Sequence, residues 1–323
     1  MPQITYREAI GQALREALYQ DERVFLMGED IGGYGGAYAV TKGFLREFGP
    51  ERIKDTPISE SVIVGAGVGA AMAGTRPIVE LMTINFSLLA MDQIINNAAK
   101  LRYMSGGQVT VPLVIRTVSG GGNQLAASHS QSLEGWFAHV PGLKVVAPST
   151  PYDAKGLFKT ALADPNPVMY VEHSLLYGVK GEVPEDEYAI PFGKADVKRE
   201  GRDVTIVSHS RMVHVALRAA DRLSKEGIEA EVVDLRSLRP MDIDTLVESV
   251  KKPNRAVVVE EGWKALGIGA EVSSQLYERA MDYMDAPVQR VSGADAPLPY
   301  SRPLELAALP NEGRVIEAVN QLV

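Results

Sequence analysis

The sequence predicts a two-domain α/β protein built on parallel sheets. Three observations carry that expectation. Short apolar runs of strand length alternate with longer segments whose apolar residues recur at helical spacing, the rhythm of βαβ units. That rhythm breaks between residues 180 and 200, where GEVPEDEYAIPFG is acidic, holds two prolines and has neither a helical nor a buried-strand pattern. The length, 323 residues, suits about two domains. The expected division is a first domain over 1–185, a linker over 186–200 and a second domain over 201–323.

In the first domain a helix is expected over 5–19, with Ile4, Ala9, Ala13, Leu14, Ala17 and Leu18 on its apolar side. A strand over 24–27 runs into Gly28-Glu29-Asp30, and ligands of α/β folds gather at the carboxyl ends of strands. IGGYGGAY follows, which reads as a lid, a close contact to another chain or a plain loop. Further on come a strand over 77–82, a helix around 91–103 and a buried strand over 111–117. That last strand opens into SGGGNQLAASHSQS, residues 119–132, crowded with Gly, Ser and polar groups around His129. A histidine in such a loop is placed for a ligand, although loops of this kind also serve as connectors. His139, before a Val-Pro-Gly turn, reads as structural. A strand over 144–147, a helix over 152–162 and a strand over 168–172 close the domain.

The second domain repeats the pattern: strands over 204–207, 231–234, 256–259 and 288–291, with helices over 213–224, 243–250 and 268–283. His209 and Ser210 end its first strand, and Glu260-Glu261-Gly262-Trp263 end its third. This rim is either catalytic or a subunit interface with solvated charges.

Composition sets the bounds. Apolar residues make up 46% and charged residues 23%, enough for a globular core. A net charge of −8 and a pI near 5.3 argue against nucleic acid or an anionic membrane as the main partner. The chain has no cysteine, which excludes disulfides, thiolate catalysis and Cys-ligated metals and fits a reducing compartment. The start, MPQITYREAIGQALREAL, has polar residues where a signal peptide has an apolar core, and no apolar run reaches the length of a membrane span. A soluble, cytoplasmic protein is expected.

The most informative stretch is residues 54–74, KDTPISE followed by SVIVGAGVGAAMAG. Pro57 biases Thr56 toward extended backbone, and Ser59 is a candidate cap for a helix starting near Glu60. The run that follows is small and aliphatic, with no charge before Arg76. A helix with so little side chain belongs where another backbone or a ligand comes close. Glu60 at its mouth is poorly solvated, which suits a working acid. The helix dipole also favours Glu in a first turn, so a helix-start role stands beside the catalytic one. GAGVG is not a dinucleotide fingerprint, because its glycines fall inside the helix rather than at a strand-to-helix turn.

Several blocks in order, over essentially the whole chain, give a further reading. GEDIGGYGGAY (28–38), RIKDTPISES (52–61), GAAMAGTRPIVELMTINFSLLAMDQIINNAAK (69–100), HSQSLEGWFAHVPGLKVVAPS (129–149), VSHSR (207–211), LRSLRPMD (235–242) and SGADAPLPYS (292–301) carry it. Together they resemble the beta subunits of the thiamine-diphosphate-dependent 2-oxo acid dehydrogenases, most closely the pyruvate type. The resemblance implies an N-terminal pyrimidine-binding fold with a parallel sheet and a C-terminal transketolase-like α/β domain. It implies an enzyme active only with an alpha partner, which decarboxylates pyruvate and reductively acetylates lipoyl groups. The branched-chain and acetoin enzymes are the near alternatives, and a docking scaffold of the same fold the non-catalytic one.

By the same resemblance Glu60 is the acid facing a ring nitrogen of the cofactor's aminopyrimidine, and Phe86 packs on that ring. His129 matches the loop histidine that assists transfer to a lipoyl group. Glu29 and Asp92 match acids of a polar tunnel between paired active sites. A structural potassium site falls on Leu113, Ala161, Leu162, Asp164 and Asn166, mostly through backbone carbonyls. Thiamine enzymes hold the diphosphate through Mg²⁺ with a Gly-Asp-Gly followed downstream by Asn, and no Gly-Asp-Gly occurs here. The cofactor is therefore expected to be shared, with the diphosphate and Mg²⁺ held by the alpha subunit. The implied assembly is two alpha and two beta chains bound to a dihydrolipoyl acyltransferase core. A plastid stroma is the alternative location if the gene is organellar.

Overall fold

A computed structural model describes residues 2–323, which form two compact units. Of the described residues, the first unit comprises 2–119 and 136–192, the second 120–135 and 193–323. The division thus differs from a single cut near residue 190. Residues 120–135, expected in the first domain, cluster with the second unit, because its buried carboxylates take up their backbone N–H groups. The expected linker is also partly structured: Asp196–Arg199 is a strand that pairs antiparallel with Ala230–Asp234.

The first unit is organised on six strands in the order Lys144–Val146, Val168–His173, Val114–Ser119, Arg76–Leu81, Val24–Gly28, Ile53–Asp55, with every neighbouring pair parallel. Both faces of the central strands are covered, so every residue of Val114–Ser119 and Val168–His173 is buried. Thr5 caps the helix Tyr6–Gln20 through a capping box with Glu8. That helix packs against Pro151–Ala163, and Lys155, though 3% exposed, is held by Glu16 at 2.7 Å. Within the sheet, Arg116 joins Glu80 to Glu172 across three adjacent strands, and Tyr177 donates to Glu172 at 2.6 Å. Such a satisfied buried network fixes strand register more than it adds net stability.

One expected helix is replaced by a broken series. Ile84–Ala90 is 3₁₀, Asp92–Ala98 is a π-helix and Leu101–Met104 is a single α turn. The amides of Asn96 and Asn97 reach back to Asp92, a local competition that regular α spacing does not survive. Strand Val114–Ser119 also begins three residues later than periodicity predicts.

The second unit has five strands in the order Gln289–Gly293, Ala256–Trp263, Val204–Ser208, Ala230–Asp234, Asp196–Arg199. All neighbours are parallel except the last pair. Helix Arg211–Lys225 lays Val213, Ala216, Ala220 and Leu223 on the sheet, as its 3.6-residue period requires. Helices Arg302–Ala308 and Glu312–Asn320 complete the unit and were not expected. Among the described residues no helix is long and apolar enough to cross a membrane.

Candidate active site

Strand order locates the site before any side chain does. In the first unit, Val24–Gly28 leads to the edge strand Ile53–Asp55, whereas its neighbour Arg76–Leu81 leads the other way, to Val114–Ser119. Adjacent strands whose connections leave in opposite directions open a crevice at their carboxyl ends. Glu29 follows the first of these strands and Phe86 lies five residues beyond the second. Glu60 follows the edge strand and opens the crossover helix Glu60–Met72 between them.

Glu60 is 6% exposed, and among the described residues its carboxylate makes no hydrogen bond or ion pair. A nearly closed acid that no neighbouring group engages is a place for a ligand to complete. Ser59 occupies the N-cap position, yet its side chain makes no capping hydrogen bond, contrary to the expectation from sequence. Glu29 lies close enough to sense it: burial, then Asp30 and Glu60, raise the Glu29 carboxyl above its ordinary value. The helix packs on the turn Ile84–Ala90 that carries Phe86, whose ring is half buried. Asp92 is exposed at the start of the π-helix and accepts from Asn96 at 2.8 Å. A nearly buried carboxylate on a helix packed against the turn that carries Phe86 fits an aminopyrimidine, which offers both N–H groups and a flat ring.

Helix Glu60–Met72 approaches its own sheet as closely as its composition predicts. A Cβ on Gly67 would lie 2.7 Å from Val79 Cγ1. Its other side carries Val62, 65% exposed, and Gly69, around which there is open space. A helix apolar on every side is normally enclosed.

The five residues of the implied potassium site gather where helix Pro151–Ala163 ends. Leu113 O accepts from Val168 N at 2.9 Å, and Val111 N donates to Pro165 O at 3.1 Å. Leu162 O accepts from Arg76, Asp164 is ion-paired with Lys144, and Asn166 N donates to Asp164 Oδ1 at 2.9 Å. Each carbonyl keeps a second lone pair, so the set remains compatible with a weakly charged cation. Among the described residues no group of three or more His, Cys, Asp or Glu is arranged to hold a metal ion.

In the second unit His129 sits exposed at the tip of the loop, with Ser128 Oγ 2.9 Å from its Nδ1. The loop is strained: Gln124 and Ala126, neither of them glycine, have φ of 58° and 61°. It is held by groups whose role sequence reading missed. Gly121 N donates to Glu261 Oε1 at 2.6 Å, and Gly122 N to Glu305 Oε1 at 2.9 Å. The charges of the rim are not solvated, contrary to one of the two expectations for it. Glu260 and Glu261 are 3% and 8% exposed, engaged by Arg290 and Arg211, and His209 is 3.3 Å from Glu134. Burial presses the His209 imidazolium down, but Glu134, with Glu260 and Asp234 behind it, outweighs this and raises its pKa.

Residues 2–180 match the family described as transketolase, pyrimidine binding domain, and residues 193–315 match transketolase, C-terminal domain. The solved chain titled "Split gene transketolase, inactive beta4 tetramer" is similar over 99% of this chain and 98% of its own, with 27% identity and a TM-score of 0.81. The fold and crevice are those of the two-domain transketolase class, and membership implies thiamine diphosphate as cofactor. Among curated proteins, the pyruvate dehydrogenase E1 component subunit beta of Rickettsia felis is 52% identical, over 99% of this chain and 98% of its own. The mitochondrial subunit of the same name from Dictyostelium discoideum is 51% identical, over 99% and 91%. The chain belongs to the family of pyruvate dehydrogenase E1 beta subunits.

Proposed function

We propose that this chain supplies the pyrimidine-binding half of a pyruvate dehydrogenase (acetyl-transferring), active only when an alpha chain completes the site. The observation that carries the reading is Glu60, 6% exposed and without a hydrogen bond or ion pair among the described residues, at the switch point of a pyrimidine-binding domain. Thiamine diphosphate, when bound, supplies the nucleophilic carbon on which 2-oxo acids are decarboxylated. Glu60 holds a proton between its carboxylate and a ring nitrogen of the aminopyrimidine, and Phe86 fixes the plane of that ring. Glu29 keeps the surroundings of Glu60 negative. His129 acts on the transfer to a lipoyl group, donating or accepting a proton at its imidazole.

The diphosphate and Mg²⁺ fall to the alpha chain, because this chain lacks the Gly-Asp-Gly that would hold them. Two alpha and two beta chains form the assembly in this reading, docked on a dihydrolipoyl acyltransferase core and acting in the cytoplasm. The similar split-gene transketolase chain is titled an inactive tetramer of beta chains, which favours dependence on a second chain. A K⁺ ion among the carbonyls of Leu113, Ala161, Leu162, Asp164 and Asn166 would brace the helix end rather than take part in chemistry.

The test is pyruvate-dependent dye reduction by the co-expressed alpha and beta chains, with Glu60→Gln as the variant. Loss of turnover with assembly intact supports the reading. Full turnover by Glu60→Gln would remove Glu60 from the chemistry. Faster turnover on branched-chain 2-oxo acids or acetoin than on pyruvate would reassign the substrate.

A further inference from the structure

The second unit has a switch point of its own. Strand Val204–Ser208 leads to Ala230–Asp234 on one side, and its neighbour Ala256–Trp263 leads to Gln289–Gly293 on the other. In an open parallel sheet this crevice takes a ligand. Here it takes the loop 120–135. Glu261, at the end of one of the two strands, accepts from Gly121 N, and His209, just past the other, meets Glu134. Glu305 closes the arrangement from helix Arg302–Ala308. Its carboxylate is 0% exposed and accepts from Gly122 N and from Gln124 N, the latter through both oxygens at 3.1 Å.

Backbone N–H groups converging on one anion form a nest, the arrangement proteins use to bind phosphate or carboxylate. In this unit the anion is the protein's own side chain. The geometry points to Glu305 as a positioning residue, an internal anion that organises the loop and so aims His129. The fit is close on the loop's other flank as well: a Cβ on Gly121 would lie 2.6 Å from Leu298 Cδ1. Gln124, whose N–H Glu305 receives, holds a left-handed backbone that residues with a Cβ adopt only when surroundings impose it. His129 lies on the exposed stretch 127–129 between the amides held by Glu305 and the buried Ser130, 3% exposed, so the segment that carries it starts and ends at fixed points. The inference rests on the His129 reading above for its catalytic consequence, but not for its structural one.

The experiment uses the full chain co-expressed with an alpha partner, carrying Glu305→Ala, Glu305→Gln or His129→Ala. Two readouts are taken. One is amide hydrogen exchange at Gly122 and Gln124, which needs no cofactor. The other is acetylation of a free lipoyl domain against pyruvate-dependent dye reduction. Glu305→Ala is expected to lose protection at the two amides while strand Val204–Ser208 stays protected. Lipoyl acetylation should fall roughly 10–10²-fold further than dye reduction, since misplacing a reacting group by about 1 Å costs up to about 10²-fold. Glu305→Gln, which keeps an acceptor oxygen, should lie between wild type and alanine. Unchanged protection in Glu305→Ala overturns the proposal, as does an equal fall in both reactions with glutamine no better than alanine. If the alanine variant unfolds the second unit, the glutamine variant is read on the same two amides. A His129→Ala enzyme with no selective loss of acetylation would remove the role of His129, leaving the exchange result to decide the positioning.

Discussion

Glu60 and His209 are both buried titratable groups, but they differ in what satisfies them. His209 has Glu134 at 3.3 Å inside its own unit, whereas Glu60 makes no hydrogen bond or ion pair among the described residues. An internally satisfied group belongs to stability, and an unsatisfied one to a ligand. Glu60→Gln should therefore lower turnover of the assembled enzyme by about 10²–10⁴-fold, the usual share of acid–base catalysis, while leaving its melting temperature within a few degrees. Equal losses in both would make Glu60 a structural residue. For His209 the folded pKa is raised, so the stabilisation it gives is fully present below the unfolded value near ~6.5 and is lost as pH rises through the folded pKa. Urea midpoints measured from pH 6 upward should fall through that window in the wild type and stay flatter in His209→Gln. At this scale Glu60 was legible in sequence because Pro57, Ser59 and the small-residue run are its immediate neighbours. Glu261 and Glu305 were not, because their loop partners lie 140 and 183 residues away and a glutamate carries no mark of burial.

The helix Glu60–Met72 has two faces that sequence could count but not tell apart. Gly67 faces its own sheet at close quarters, and Gly69 faces open space. Gly67→Val should cost about 1–3 kcal/mol in the isolated chain by overpacking against Val79. Gly69→Ala should instead stabilise that chain by up to ~1 kcal/mol, since glycine is a poor helix former. Gly69→Leu should leave the isolated fold intact yet prevent co-purification with the alpha chain, if this face is where chains meet. Retained assembly by Gly69→Leu would place the interface elsewhere. Regular elements of this kind were read well, because strand and helix periods are local properties. The segment after Phe86 was not, because the hydrogen bonds of Asn96 and Asn97 to Asp92 give it a 3₁₀, π and α succession that no single period describes.

Across the whole molecule, chain order and spatial order part company at residues 120–135, which leave the first unit's sheet at Ser119 and fold with the second unit. Alternating strands and helices announce two α/β units, but they cannot announce that residues 120–135 belong to the second and fill its switch point. The proposed division of the cofactor site between chains is a similar property, visible in sequence only through a missing Gly-Asp-Gly. It leads to a binding prediction. A pyrimidine crevice without a diphosphate grip loses the charge-assisted contacts that dominate affinity for such a ligand. Calorimetry with Mg²⁺ should therefore find tight thiamine diphosphate binding only when this chain is assembled with its alpha partner. The chain alone should bind at least about 10²-fold more weakly, a difference of roughly 2.7 kcal/mol. Glu60→Gln should weaken binding by the assembled enzyme further, whereas Glu305→Gln should not, because its partners are backbone amides of the loop. Tight binding by the isolated chain would mean that it holds a diphosphate site of its own, and the division of labour between the two chains would have to be redrawn.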